Sequence, residues 1–308
     1  MKPELRKIHR ITPDQSVVCI IGKDEIPDTI VLTREEREYA VKQLRTGEEI
    51  VFINSYFKCT YFVRIKDGLS GFKASEELRK AASGMKKLIR SNDHIELVIT
   101  SWDVYERSVA DFAEGLILSI YKFDKYKTKD EDDVPKKYPS VLLLHGNLGR
   151  AEIKWLDDLT DAVYLARDLI NEPVNHLNSL ALASEIEKTG KNAGFRVEVL
   201  NKGKIEALKM GGLLSVNKGS VDPPVFCILE WHPQKPVNSK PFVLVGKGIV
   251  YDTGGLNIKT GDYMMLMKGD MAGAAAVTGV FHTLAKNNVP LHIIGLIPIT
   301  DNRPGGNA

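Results

Sequence analysis

The sequence is poor in cysteine, in excess charge of either sign and in long apolar runs. Its cysteines, Cys19, Cys59 and Cys227, stand far apart in apolar surroundings, so we predict buried free thiols rather than a disulfide framework. Lysine and arginine number 42 against 40 acidic residues, a balance that gives little indication of nucleic acid as a partner. No stretch approaches the ~20 apolar residues of a membrane span, and residues 1–15 lack the apolar centre of a secretory signal. We therefore expect a soluble cytoplasmic protein without a membrane partner.

Several catalytic signatures are missing as well. The seven histidines show no metal-ligand spacing, and neither an HExxH segment nor a CxxC pair occurs, which argues against a single-zinc hydrolase. His176, in NEPVNHLN, is interpreted as a loop or capping residue rather than a ligand. There is no GxSxG elbow of a serine hydrolase and no phosphate-binding loop of the GxxxxGK[ST] type.

Strand-like and helical patterns alternate along the chain, which predicts an α/β protein. Its 308 residues favour two domains, a smaller one at 1–148 and a second at 149–308. In the first we predict strands at 16–21, 49–65 (one or two), 94–100 and 140–145 in a largely parallel sheet, with helices at 33–47, 75–91 and 106–121. In the second we predict helices at 152–170, 179–193, 202–209 and 272–287, with strands at 195–200, 225–231, 242–245 and 291–297. The charged segment 124–139 is interpreted as a surface excursion near the domain boundary.

The stretch 245–279, VGKGIVYDTGGLNIKTGDYMMLMKGDMAGAAAVTG, joins the end of an apolar strand to a helix of small residues. Glycines between them let the backbone bend around charged side chains, namely Lys247, Asp252, Lys259, Lys268 and Asp270. Open α/β sheets bind ligands where such loops leave the carboxyl ends of strands. Aspartate oxygens suit divalent metals, and a lysine beside other cations can lose its proton and donate a lone pair. The combined pattern indicates a metal site.

Each of these residues taken alone also has a purely structural interpretation. Asp270 can be the N-cap of the following helix, and a lysine in a glycine-rich turn is more often solvated than functional. The methionines of the stretch either pack beneath the loop or form an adaptable apolar pocket; they are Met264, Met265, Met267 and Met271. Both interpretations stay open at this point.

The stretch resembles the leucyl aminopeptidases, which are dinuclear metallo-aminopeptidases of the cytosol. The resemblance rests on VGKGIVYDTGG, NIKT and LMKGDMAGAAAV, and it extends to ARDLINEPVNHLNS at 166–179 and GLIPITDNRPGGNA at 295–308. It covers 140–308 and, more weakly, 114–127. It implies that 149–308 is the N-terminal portion of a catalytic domain with a mixed, mainly parallel sheet and flanking helices.

The resemblance also implies roles for individual residues. Lys247, Asp252 and Asp270 match ligands of two divalent ions, Mn²⁺ or Zn²⁺, with Asp252 bridging both. Lys259 matches the catalytic lysine that polarises the substrate carbonyl, and Met267 matches part of the pocket for the first side chain. Lys259, Met267 and Asp252 thus form the implied substrate-binding set. The implied substrate is a peptide with a free N-terminus, and the implied assembly is a homohexamer.

One departure from the family pattern concerns the remaining ligands. The family carries them in an Asn-Thr-Asp-Ala-Glu-Gly-Arg motif downstream of the segment matched by 302–308, and this sequence stops at Ala308 before that motif. We therefore expect a truncated version of a longer enzyme, inactive as 308 residues alone. The alternative is a catalytically incomplete binding or assembly module derived from the same fold. A dinuclear phosphoesterase would need more histidine or acidic ligands than the sequence offers.

Overall fold

A computed structural model describes residues 2–66, 68–128 and 137–307 of the chain. The chain divides into two compact units, Met1–Thr160 and Asp161–Ala308. The division point lies inside a long helix, Arg150–Asn171, which begins just after the boundary predicted at 148/149. That boundary stays a prediction. Half of the charged segment predicted as a surface excursion at 124–139, namely 129–136, lies outside the described residues.

The first unit is an α/β layer built on one sheet. Its elements are β1 (Glu4–Ile8), β2 (Val17–Ile21), α1 (Arg34–Arg45), β3 (Ile50–Asn54), β4 (Cys59–Arg64), α2 (Gly71–Ser91), β5 (Glu96–Trp102), α3 (Ser108–Ser119) and β6 (Val141–His145). The strands follow the order β1-β6-β5-β2-β4-β3. Neighbours are parallel except for β3 and β4, which form an antiparallel pair. The predicted, largely parallel sheet is confirmed.

Local sequence explains where α1 begins. Thr33 accepts a hydrogen bond from the backbone of Glu36, and Glu36 accepts one from the backbone of Thr33, an arrangement known as a capping box. The buried face of α1, Ala40 and Leu44, packs into the core beside β2, whose residues are all buried. The helix therefore starts by side-chain capping and is held by the apolar face it buries.

The second unit contains the stretch singled out by the sequence. Its elements are the end of α4 (Arg150–Asn171), α5 (Ser179–Ala193), β7 (Arg196–Leu200), α6 (Lys202–Ala207), α7 (Gly211–Asn217), β8 (Val225–Trp231), β9 (Phe242–Val245), β10 (Gly248–Asp252), α8 (Asp262–Met265), a 3₁₀ helix (Leu266–Gly269), α9 (Ala272–Lys286) and β11 (Ile293–Asn302). Helices α5 and α9 pack on the sheet through a buried cluster that includes Phe195, Met271 and Phe281. This core holds the segments around the site.

The central strand of the second unit is β11. On one side it pairs antiparallel with β8, which in turn pairs antiparallel with β7. On the other side β9 and β10 follow one another along β11, and both run parallel to it. The mixed sheet with flanking helices confirms the predicted fold class. Between β9 and β10, at Gly246 and Lys247, the strand that runs along β11 is interrupted.

Some sequence-based boundaries are wrong. Helix α2 begins after Ser70 rather than at Ser75, and β11 continues to Asn302 instead of ending near residue 297. Strands β1 and β10 and helix α7 were not predicted. The cysteines are free and buried, as predicted. Among the helices of the described ranges, none combines the length and apolarity needed to cross a lipid bilayer.

Candidate metal and substrate site

The strand break between β9 and β10 is the structural centre of the site. The amide of Gly246 still donates to Leu296 of β11 (3.0 Å), while the carbonyl of Lys247 accepts from Ala274 near the start of α9 (2.9 Å). A side chain at Gly246 would collide with Gly273, since its Cβ would lie 2.9 Å from that carbonyl oxygen. Helix α9 can approach the strand this closely because Gly246 and Gly273 both lack a side chain.

Lys247 and Asp270 meet at this break. Lys247 Nζ lies 2.8 Å from Asp270 Oδ2, and the lysine side chain is 57% exposed while the aspartate is 20% exposed. Asp270 Oδ2 is itself shielded from solvent and, within the described residues, accepts no hydrogen bond of regular geometry. The pair is thus an ion pair by distance with a poorly aligned donor. A buried carboxylate oxygen that lacks a well-aligned hydrogen-bond donor is available to bind a cation.

Asp252 ends β10, and a bulge sets its orientation. Ile249 pairs with Thr300 of β11 and Asp252 pairs with Asn302, so β10 advances three residues while β11 advances two. Such bulges re-aim side chains and occur often next to active sites. Asp252 Oδ1 accepts from the Gly254 amide (2.9 Å) and from Asn302 Nδ2 (2.7 Å), while Oδ2 accepts from the Lys259 ammonium.

These contacts determine the charge of Asp252. Burial by itself raises its pKa, but the hydrogen bonds from Lys259, Gly254 and Asn302, together with the Lys259 charge, lower the pKa to about 2. The group is therefore an anion at any physiological pH. An ionised carboxylate is the form in which aspartate binds a cation.

Lys259 reaches Asp252 because of the turn between them. The amide of Lys259 donates to the carbonyl of Thr253 (2.8 Å). Gly254 has a φ of +89°, and a Cβ there would lie 2.3 Å from the carbonyl oxygen of Asn257. Only glycine allows this tight left-handed turn, so the DTGG segment of the sequence brings the two charged side chains together.

Met267 and Lys268 lie in the 3₁₀ helix, which packs against β10. Lys268 Nζ donates to the carbonyl of Asn171 at the C-terminal end of α4 (2.6 Å), where helix carbonyls lack intrahelical partners. Met267 is partly buried. Of the other methionines in the stretch, Met271 is fully buried in the core and Met265 is largely exposed. For Met271 the packing interpretation is correct.

The predicted site residues are thus brought together in two ion pairs, Lys247 with Asp270 and Lys259 with Asp252, on elements that contact each other. Their roles stay predictions. His176 lies in the turn after α4, where its amide donates to Pro173 (2.9 Å), and it is interpreted as a turn residue. Within the described ranges, no group of three or more histidine, cysteine, aspartate or glutamate residues is placed to hold a metal ion.

The donor set present fits part of a divalent-metal site. It offers two carboxylates and, once deprotonated, the amine of Lys247, which are ligand types that Mn²⁺ and Zn²⁺ both accept. Each carboxylate is balanced by a lysine ammonium, so a metal ion would have to displace that charge. Sequence reasoning missed Asn302, because its contact with Asp252 depends on the pairing of β10 with β11.

Comparison with known proteins identifies the family. The profile described as "Cytosol aminopeptidase family, catalytic domain" matches residues 164–308. This match shows that the chain belongs to the cytosol aminopeptidase family. A family relative in Rhizobium etli, named "Probable cytosol aminopeptidase", is 37% identical over 247 residues, which span 78% of this chain and 49% of that protein. A relative of the same name in Brucella melitensis is 43% identical over 203 residues, or 65% of this chain and 41% of that protein.

The chain thus spans about half the length of the family relatives it matches. Among solved structures it is similar to that of "Bottromycin maturation enzyme BotP in complex with Mn", with a TM-score of 0.76 and 25% identity. The likeness covers 96% of this chain and 61% of that one. That structure is a complex with manganese.

Proposed function

We propose that this chain is part of a metallo-aminopeptidase that removes N-terminal residues from peptides. The observation that carries the proposal is the pairing of two carboxylates with two lysines at the two ends of β10, within a segment of the cytosol aminopeptidase family. The matched relatives are named probable cytosol aminopeptidases, and the similar solved structure of BotP is a manganese complex. We infer aminopeptidase activity and divalent-metal binding for this chain from these similarities.

Asp252, Asp270 and the amine of Lys247 would hold two divalent ions, Mn²⁺ or Zn²⁺. When bound, such ions would polarise the peptide carbonyl and lower the pKa of a water molecule. The chain supplies the negative charge for this site from Asp252, whose pKa of about 2 keeps it ionised. The remaining ligands would come from polypeptide that the longer relatives possess.

Lys259 would act on the substrate directly. Its ammonium forms an ion pair with Asp252 Oδ2, and the lysine side chain is partly exposed. It can therefore reach a group bound beside that oxygen. As negative charge develops on the peptide carbonyl oxygen, the ammonium would donate to it; removal of one such donor costs about 10²–10³ in turnover. Partly buried Met267 would contribute apolar surface for the first side chain of the peptide.

The proposal includes the setting of the enzyme. We place it in the cytoplasm, on the names of the relatives and on the buried free thiols, which suit a reducing compartment. We also propose a homo-oligomer, a hexamer by the resemblance to leucyl aminopeptidases. Size-exclusion chromatography with light scattering on the intact protein tests the assembly, and a monomer would exclude it.

The catalytic role of Lys259 is tested in the intact protein by release of nitroaniline from an aminoacyl p-nitroanilide. Lys259→Ala should lower turnover about 100- to 1,000-fold while bound Mn²⁺, measured by elemental analysis, stays unchanged. Lys235→Ala, an exposed lysine in a loop, is the matched control and should keep full activity. Unchanged turnover in Lys259→Ala would exclude the proposed role.

Two further measurements separate the parts of the mechanism. Asp252→Ala should lower the bound Mn²⁺, whereas an unchanged Mn²⁺ content would contradict the assignment of Asp252 as a ligand. An N-acetylated anilide should not be cleaved, because the proposal requires a free α-amine. Hydrolysis of p-nitrophenyl phosphate in place of the anilide would favour a dinuclear phosphoesterase instead.

A non-catalytic binding or assembly module is the second candidate. It is favoured by the neutralisation of both carboxylates, since a lysine ammonium already occupies the place that a metal ion would take beside each of them. The assays above decide between the two candidates. Absence of both Mn²⁺ binding and anilide cleavage would exclude the aminopeptidase and favour the module.

A further inference from the structure

A positioning residue for Asp252 lies on the neighbouring strand. Asn302 is the last residue of β11, and the bulge in β10 brings it opposite Asp252. Without the extra residue in β10, Asp252 would be one position out of step with this partner and its side chain would leave on the other side. The contact between Asn302 and Asp252 therefore depends on the bulge in β10.

Asn302 is anchored through its backbone as well as through its side chain. Its Nδ2 donates to Asp252 Oδ1 (2.7 Å), and its own backbone carbonyl accepts from the amide (2.8 Å) and the hydroxyl (2.7 Å) of Thr253. A Cβ at Gly255 would lie 3.0 Å from Asn302 Oδ1, so a glycine there leaves room for the amide. The backbone of Asn302 is therefore fixed independently of the hydrogen bond that its side chain donates to Asp252.

The two oxygens of Asp252 are consequently not equivalent. Oδ1 accepts hydrogen bonds from two neutral donors, Gly254 and Asn302, whereas Oδ2 faces the charged Lys259. With two donors on Oδ1, rotation of the carboxylate about its last bond would break both hydrogen bonds. Oδ2 is therefore kept toward the cationic side of the site.

We propose that Asn302 is a positioning residue that orients the Asp252 carboxylate for cation binding, an inference that rests on the proposed function. Partners that hydrogen-bond to metal ligands in this way typically contribute about 10- to 100-fold to metal affinity. Asn302 itself does not bind the ion. Its effect passes through the orientation of Asp252.

The test compares Mn²⁺ binding by the intact protein with that of Asn302→Ala and Asn302→Leu. Leucine keeps the branched shape of asparagine but cannot donate a hydrogen bond. Asn238→Ala is the matched control, since that amide also joins two backbone segments, at Lys240 (2.7 Å) and His292 (2.9 Å). Calorimetry gives the affinity, the electron paramagnetic resonance spectrum of bound Mn²⁺ reports its surroundings, and near-ultraviolet circular dichroism reports folding.

We expect both Asn302 variants to stay folded, to bind Mn²⁺ about 10- to 100-fold more weakly and to show an altered resonance spectrum, while Asn238→Ala binds normally. Folded Asn302 variants with unchanged affinity and spectrum would overturn this inference alone. Loss of folding in both would also overturn it, because Asn302 would then serve the fold. Absence of saturable Mn²⁺ binding by the unchanged protein would overturn the proposed function together with it.

Discussion

Individual histidines couple the stability of the first unit to pH. His94 is buried and shares a hydrogen bond with the hydroxyl of buried Tyr61, with 2.7 Å between Nε2 and the oxygen. Burial lowers the pKa of His94, an effect that the nearby Asp93 charge partly offsets. Burial likewise lowers the pKa of His145, and His9 adds to the effect. Both side chains are therefore most stable in the folded protein when neutral.

Acid is consequently expected to destabilise the first unit. The folded-state pKa of each histidine lies below its unfolded value of about 6.5, so the unfolded chain binds more protons once the pH falls below that value. Stability is complete above about pH 6.5 and is lost below it, by at most about 1.4 kcal/mol per pH unit for each group. Hydrogen exchange of the β2 and β5 amides between pH 7 and 5 measures this loss.

His94→Gln should flatten this pH dependence, because glutamine does not titrate. His232→Gln, an exposed histidine in the second unit, is the control and should leave the first unit unchanged. If His94→Gln and the unchanged protein lost stability equally between pH 7 and 5, the buried histidine would not be the coupled group.

At the scale of elements, the contact between the strand break and α9 depends on glycine. A Cβ at Gly273 would lie 2.9 Å from the amide nitrogen of Lys247, a distance that forces backbone movement. Alanine normally stabilises a helix interior over glycine by about 1 kcal/mol, but overpacking costs about 1–3 kcal/mol. We expect the second effect to exceed the first, so that Gly273→Ala lowers the free energy of unfolding of the second unit.

Gly84→Ala provides the matched control for this prediction. Gly84 lies within α2, and a Cβ there would meet nothing within 4 Å. The same substitution should raise stability there by about 0.5–1 kcal/mol. Urea denaturation of both variants gives the comparison. Stabilisation of Gly273→Ala by a similar amount would show that helix and strand can separate without cost.

Elements with strong local signals could be predicted from the sequence. Helix α5 has its predicted bounds, between the Asn178 cap and Gly194 in the left-handed conformation, and the bounds of β8 and β9 are also correct. At β10 the sequence pattern favours a loop, because the GIVYD segment is short and glycine-flanked. It is a strand only through its pairing with β11. Local sequence does not contain that information.

The same distinction applies to the site. Lys247, Asp252, Lys259 and Asp270 fall within one continuous stretch, so a local motif was enough to select them. Asn302 lies 50 residues beyond Asp252 in sequence and reaches it only through strand register and a bulge. The ion pairs could not be predicted either, since the turn at Gly254 and the contact of the 3₁₀ helix with β10 decide which lysine meets which aspartate.

At the scale of the whole molecule, one apolar edge is exposed. In the described parts of the chain, β9 pairs only with β11, and its side chains Phe242 (57%), Val243 (52%) and Val245 (70%) are exposed. Unpaired apolar strands readily add strands from other molecules, and lysine on such an edge suppresses the pairing. With a net charge of only +2, little general repulsion opposes association.

We therefore expect the 308-residue chain to self-associate as its concentration rises, and Val243→Lys to reduce that association. Val221→Lys is the matched control, because Val221 is 94% exposed but lies outside the strands, so its replacement changes charge and apolar area without changing an edge. Sedimentation velocity over a range of concentrations separates the two effects. A specific reduction in Val243→Lys would assign association to the β9 edge, since both variants add the same charge. Equal reductions in the two variants would assign it to charge and exposed apolar area in general and would contradict the prediction.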